Sequence, residues 1–196
     1  STFIVGATSS APALWFGSGA AGTVSNLTIR GGNCAVGAGW QNPVTGAIAV
    51  PGNLAFTNLK INGTPVGFDG WFAGWTWTNV QGYGASGVGA TVKRATALTI
   101  SKSLVSTSGG VGLQVALGAS IKCAIKVTDS QFYNNGGTGL SVSGKSASLT
   151  VTNTTASLNK GHGIEAGGLG GNTFVTNATL YANTKIGLRA TAGSGL

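Results

Sequence analysis

The side chains best suited to chemistry lie near the end of the chain: Lys160, His162 and Glu165 in "NKGHGIEA", and Arg189 in "NTKIGLRA". If neighbouring repeats stack, these four share a patch. An imidazole beside a carboxylate can act as a general base. The supply of acids limits that idea. The 196 residues contain only Asp69, Asp129 and Glu165. Glycoside hydrolysis needs two carboxyl groups facing one bond. A calcium-assisted lyase needs several acidic oxygens around the ion. Glu165 cannot serve as both acid and base, and His162 also reads as a solvated turn residue. Glu165 and His162 are therefore weak catalytic candidates. The sequence carries no metal site and implies no cofactor.

The charge balance is +8, with only 7% charged residues. The basic residues are scattered, and only Lys93 and Arg94 are adjacent. Without a basic cluster there is no nucleic-acid footprint, whereas a dispersed positive field suits anionic glycans or phosphates, or only solubility. No apolar run is long enough for a membrane span, so no insertion is expected. Cys34 and Cys123 fall in different repeats and read as two buried thiols. Gly139 to Ser146 matches the pattern G-x-x-x-x-G-K-[ST]. A phosphate loop requires a helix after it, but "SASLTV" alternates like a strand. The segment "GFDGWFAGWTWTN" concentrates aromatic residues. Trp75 and Trp77 take core positions. Trp71 and Phe72 are adjacent, so they cannot both point inward from one strand. At least one is left for a sugar or for a subunit interface.

The elements that position these residues are repeats. Val127, Val151 and Val175 are 24 residues apart. Ile100, Trp77, Phe56, Ile29 and Ile4 extend the series backwards at spacings of 27, 23, 21, 27 and 25. A glycine follows four of these anchors twelve residues later: Gly112, Gly139, Gly163 and Gly187. Each copy reads as three short strands divided by Asn, Gly and Ser. A period of this size signals a repeat architecture, here an all-β solenoid of about seven coils with parallel strands.

Inward columns are expected at Leu27/Ile29, Leu54/Phe56, Trp75/Trp77, Leu98/Ile100, Ile125/Val127 and Leu149/Val151. A second column is expected at Leu104, Phe132, Leu158 and Leu180. Asn58, Asn79, Asp129, Asn153 and Asn177 follow the anchor strand and form a structural ladder in a buried turn, where amide side chains can bond to one another. The position of Asp129 in this ladder makes it structural, and Asp69 is placed in a turn. Thr57, Thr78, Ser101, Thr128, Thr152 and Thr176 form one outward row. A neighbouring row, Thr28, Ala55, Thr76, Thr99, Lys126, Thr150 and Phe174, is broken by Lys126 and Phe174, and Arg30 begins the first row.

"NNGGTGLSV", "NKGHGIEA", "NTKIGLRA" and the asparagine ladder resemble the right-handed parallel β-helix repeat of the pectate-lyase-like superfamily. The resemblance is close over residues 98–190 and loose over 1–97, where the coils are irregular and rich in aromatic residues. It implies a single β-helix domain spanning 1–196 with coils of 21–27 residues. The opening is similar to a middle coil of phage tailspike-type β-helices, and neither end reads as a cap, so a segment of a longer chain is expected. The resemblance further implies a tail spike or tail fibre, a homotrimer or larger virion assembly, and a virion or extracellular location. Its ligand would be bacterial surface polysaccharide. In the resembling family, enzymes use the face of the strand after the glycine, where Gln114, Ser141, Glu165 and Arg189 point outward. The expected carbohydrate-binding set is Trp71, Phe72, Gln114, Glu165 and Arg189. Two alternatives stand beside this reading: a polysaccharide lyase or hydrolase completed by another subunit or by further sequence, and an ice-binding solenoid.

Overall fold

The structure, a computed structural model, describes residues 2–6, 12–31, 34–41, 48–49, 51–63, 66–71 and 73–191. Short strands alternate with sharp corners, and in the three main sheets each strand pairs in parallel with its counterpart one coil away. Sheet A stacks Thr2–Gly6, Leu27–Gly31, Lys60–Asn62, Gln81–Tyr83, Leu104–Ser106, Gln131–Tyr133, Thr155–Ser157 and Thr179–Tyr181. Sheet B stacks Leu14–Phe16, Cys34–Ala38, Val66–Trp71, Ala90–Arg94, Leu113–Ala116, Leu140–Ser143, Ile164–Gly167 and Leu188–Ala190. Sheet C stacks Gly22–Ser25, Asn53–Thr57, Gly74–Thr78, Ala97–Ser101, Cys123–Thr128, Ala147–Thr152 and Thr173–Thr176. The chain visits A, B and C in turn, making a parallel solenoid of about seven turns.

Period-two alternation closes the core. In Cys123–Thr128 every second residue is buried, and the same is true of Ala147–Thr152. Leu98, Ile125 and Leu149 stack in register, as do Ile100, Val127 and Val151. Trp75 and Trp77 are fully buried, with ring centroids 5.6 Å apart, and Phe56 meets Trp75 edge-on at 6.2 Å. Burying a large apolar side chain contributes about 1.5–3 kcal/mol, and the aromatic file supplies this where the coils are least regular.

Two corners set the shape. Between sheets C and A a single left-handed residue turns the chain: Asn26, Asn58, Asn79, Lys102, Asp129, Asn153 and Asn177, at φ 48–59°. Asn and Asp tolerate this conformation best. Their amides join in a file: Asn58 Nδ2 donates to Asn26 Oδ1 at 3.0 Å, Asn79 to Asn58 at 2.9 Å, Asn153 to Asp129 at 3.1 Å and Asn177 to Asn153 at 2.6 Å. Lys102 interrupts it. This ladder is exposed, not buried as expected. Each of these ladder residues is itself the left-handed corner residue, and its side chain faces outward.

The buried ladder lies between sheets A and B. Asn159 Oδ1 accepts from both Asn135 Nδ2 (2.9 Å) and the Asn135 backbone N–H (3.1 Å), while Asn159 Nδ2 donates to Phe132 O and Asn183 Oδ1. Such pairing satisfies a loop that turns through the interior.

Several expected columns move. Phe56 pairs with Val24, whereas Ile29 pairs with Ile61 and Ile4 with Ile29, so Leu27, Ile29 and Ile4 belong to sheet A. The anchor–hydroxyl–Asn signature is "VSN" at Val24–Asn26. An antiparallel pair, Trp40–Gln41 with Ile48–Ala49, is inserted before the next sheet C strand and stretches the coil beyond the regular spacing. The second column runs through Val105, Phe132, Ala156 and Leu180, not Leu104 and Leu158. Leu158 instead occupies a left-handed corner and is exposed.

Candidate functional site

The outward side of sheet B carries the strongest concentration of chemistry. Register places one file in the order Trp15, Gly37, Asp69, Thr91, Gln114, Ser141, Glu165, Arg189. Seven steps of about 4.8 Å make it roughly 34 Å long. Gln114, Glu165 and Arg189 lie on this file and Trp71 is near its upper part, while Phe72 lies outside the described residues.

At the upper end, pairing shifts between Gly70 and Trp71, so Lys93 is an extra residue on its strand. Such a bulge re-aims a side chain. The Lys93 ammonium lies 2.8 and 3.0 Å from the two Asp69 carboxylate oxygens and 5.6 Å from the centroid of the half-buried Trp71 ring. Asp69 is thus on a strand, not in a turn: its segment continues the sheet B pairing instead of breaking it. Trp15 is 51% exposed. It rests over Gly37, where any Cβ would sit 2.8 Å from its ring. The alternation Leu14-Trp15-Phe16 signals this outward tryptophan in the sequence.

At the lower end, Arg189 Nη1 contacts Glu165 Oε1 at 3.0 Å and lies 3.4 Å from His162 Nε2. His162 is 7% exposed, not solvated as expected. Its position belongs to the inward-packed file of the A-to-B turn, between Thr138 and Ile186: Thr138 Oγ1 accepts the His162 N–H, and Ile186 N–H donates to His162 Nδ1 at 3.2 Å. A neutral imidazole has one acceptor nitrogen. Here Nδ1 is already engaged, and Nε2 faces a guanidinium that can only donate. The ring's acceptor nitrogen is thus spent on the turn. Lys160 is exposed in the same turn, outside the Arg189–Glu165 pair.

The three carboxylates are dispersed. Asp69 and Glu165 are four steps apart on one file, about 19 Å, well beyond the separation two carboxyl groups can have across one sugar bond. Asp129 stands at the corner between the other two sheets. Among the described residues, no three His, Cys, Asp or Glu side chains gather to hold a metal. Among the described residues no helix is long and apolar enough to cross a membrane. Leu140–Ser143 and Ala147–Thr152 are both strands, so the Gly139–Ser146 segment lacks the helix that phosphate binding needs. Cys123 is a free, buried thiol, and desolvation raises its pKa to about 11.

Stacked coils, left-handed corners and an asparagine ladder define the class as a parallel β-solenoid. The family model for the right handed beta helix region matches residues 4–180, and the chain belongs to that family. No curated protein and no solved structure matches the chain significantly.

Proposed function

We propose that the chain is a rigid, non-catalytic adhesive segment of a phage tail spike or tail fibre, displayed on the virion as a homotrimer and holding bacterial surface polysaccharide along sheet B. The observation that carries this reading is the composition of the sheet B file. It offers Trp15 and Trp71 as flat apolar platforms, with Lys93, Gln114 and Arg189 as donors. Its two carboxylates are about 19 Å apart, and each is neutralised by a cation. Such a surface can bind sugar rings and anionic groups but cannot deliver acid and base to one bond. The test is incubation with capsular polysaccharide and lipopolysaccharide, followed by affinity electrophoresis and an end-group assay. Retardation without new reducing or unsaturated ends is expected. Release of ends would favour a lyase or hydrolase completed by another subunit, and sedimentation tests the trimer.

A second reading is favoured by sheet C. With the pairing established, Ser25, Thr57, Thr78, Ser101, Thr128, Thr152 and Thr176 form an unbroken hydroxyl row, and Arg30 is not part of it. Beside it run Thr23, Ala55, Thr76, Thr99, Lys126, Thr150 and Phe174. A flat hydroxyl array suits ordered water, although Lys126 and Phe174 interrupt the second row. Thermal hysteresis measures this directly.

A further inference from the structure

The chain has three tyrosines, and all three fall in one outward file of sheet A: Tyr83, Ser106, Tyr133, Ser157, Tyr181. Tyrosine and serine alternate, so successive rings are two coils apart, roughly 10 Å from two inter-strand spacings. Tyr133 and Tyr181 are 40% and 53% exposed. Ser106 and Ser157 face the same way yet are 4% and 1% exposed. Their neighbours in the file, one coil to either side, are the tyrosines. Ser157 Oγ, between Tyr133 and Tyr181, is buried without a hydrogen-bond partner. Two residues before this file runs Gln81, Leu104, Gln131, Thr155 and Thr179, so each tyrosine has an amide or a hydroxyl beside it, with Leu104 between the two glutamines. Gln81 Oε1 holds the Tyr83 hydroxyl at 3.0 Å.

We infer that this strip binds an extended β-1,4-linked glycan, with one sugar face stacked on each tyrosine and every second sugar passing over a serine. In such a chain alternate sugars present the same face, and the disaccharide repeat is close to the spacing of the rings. A helical α-linked glucan has no straight row of equivalent faces and does not match. Aromatic rings give sugars apolar area and the flanking amides give them hydrogen bonds. The strip shares no residue with the sheet B surface, so the two readings stand or fall separately.

The experiment is titration with β-1,4-linked glucose and N-acetylglucosamine oligomers of two to eight sugars, beside maltooligosaccharides, using the whole chain. Affinity is expected to rise in steps of two sugars until all three rings are covered. Tyr133→Ala and Tyr181→Ala should each weaken binding about tenfold, the size of an aromatic anchor. Tyr133→Phe should retain binding, and an unchanged melting curve shows that each variant folds. Trp71→Ala should leave this binding intact while affecting polysaccharide retention on sheet B. Equal affinity for the α-linked series, or unchanged affinity in the tyrosine variants, overturns the inference. So does a loss of self-association on sedimentation with no glycan binding, which would make the strip a contact between copies of the chain.

Discussion

Asn135 and Asn159 are joined twice: Asn159 Oδ1 accepts the Asn135 amide at 2.9 Å and its backbone N–H at 3.1 Å. Both side chains are buried, and Asn183 repeats the arrangement one coil further on. This ladder runs beneath the glycines that lead into sheet B and ties consecutive coils across the interior.

Asn159→Ala removes bonds to Asn135, Phe132 and Asn183 together and leaves their partners buried. A loss of about 2–4 kcal/mol is expected from several net hydrogen bonds and unsatisfied groups. Asn153→Ala in the exposed ladder should cost about 1 kcal/mol or less, because water replaces the lost partner. Urea unfolding of the two variants separates the buried file from the exposed one.

Gly139 has no left-handed φ. It is glycine because a Cβ there would sit 2.7 Å from Gly163 O and 2.8 Å from Asn159 Nδ2. Gly139→Ala therefore pushes two coils apart, at an expected cost of about 1–3 kcal/mol. Gly17→Ala, with nothing within 4 Å, should change stability by less than about 0.5 kcal/mol. Thermal melting of both variants checks the steric argument.

Cys123 titrates near pH 11 when folded and near its ordinary value, 9.0, when unfolded. The folded value is the higher one, so its contribution to stability is fully present below pH 9 and is lost as pH rises towards 11. Wild type should lose more stability over that window than Cys123→Ala. At pH 8 a thiol reagent should label Cys123 slowly in the native protein and rapidly in urea. Fast native labelling would contradict the burial.

Glu165→Gln breaks a partly exposed ion pair with Arg189. Stability should change by about 1 kcal/mol or less. Retention on anionic polysaccharide should be equal or stronger, since one repelling charge is removed and Arg189 is freed. Affinity electrophoresis against wild type measures it. A sharp loss of retention would make the carboxylate a binding group.

Much of the fold was legible in the sequence because a solenoid writes its geometry as a period. The spacing of Val127, Val151 and Val175 and the alternation around them determine which side chains pile into the core. The Asn or Asp after most anchors marks a left-handed corner, because few other residues adopt it cheaply. The scarcity of acids needed no coordinates.

Tertiary structure decided what a period cannot encode. Pairing moved Ile29 to sheet A, because the Trp40–Ala49 insertion changes the length of a coil without changing its signature. It decided which ladder is buried, since an Asn at the left-handed corner position faces out, as Asn153 does, whereas one directly after such a position faces in, as Asn159 does. It brought Lys93 onto Asp69 and Trp71 through a bulge that alternation does not announce. It also aligned Tyr83, Tyr133 and Tyr181, which are 50 and 48 residues apart in the chain. Local spacing dictates the inside of a coil. Which outward residues become neighbours depends on how each coil registers on the next, and that is a property of the stack.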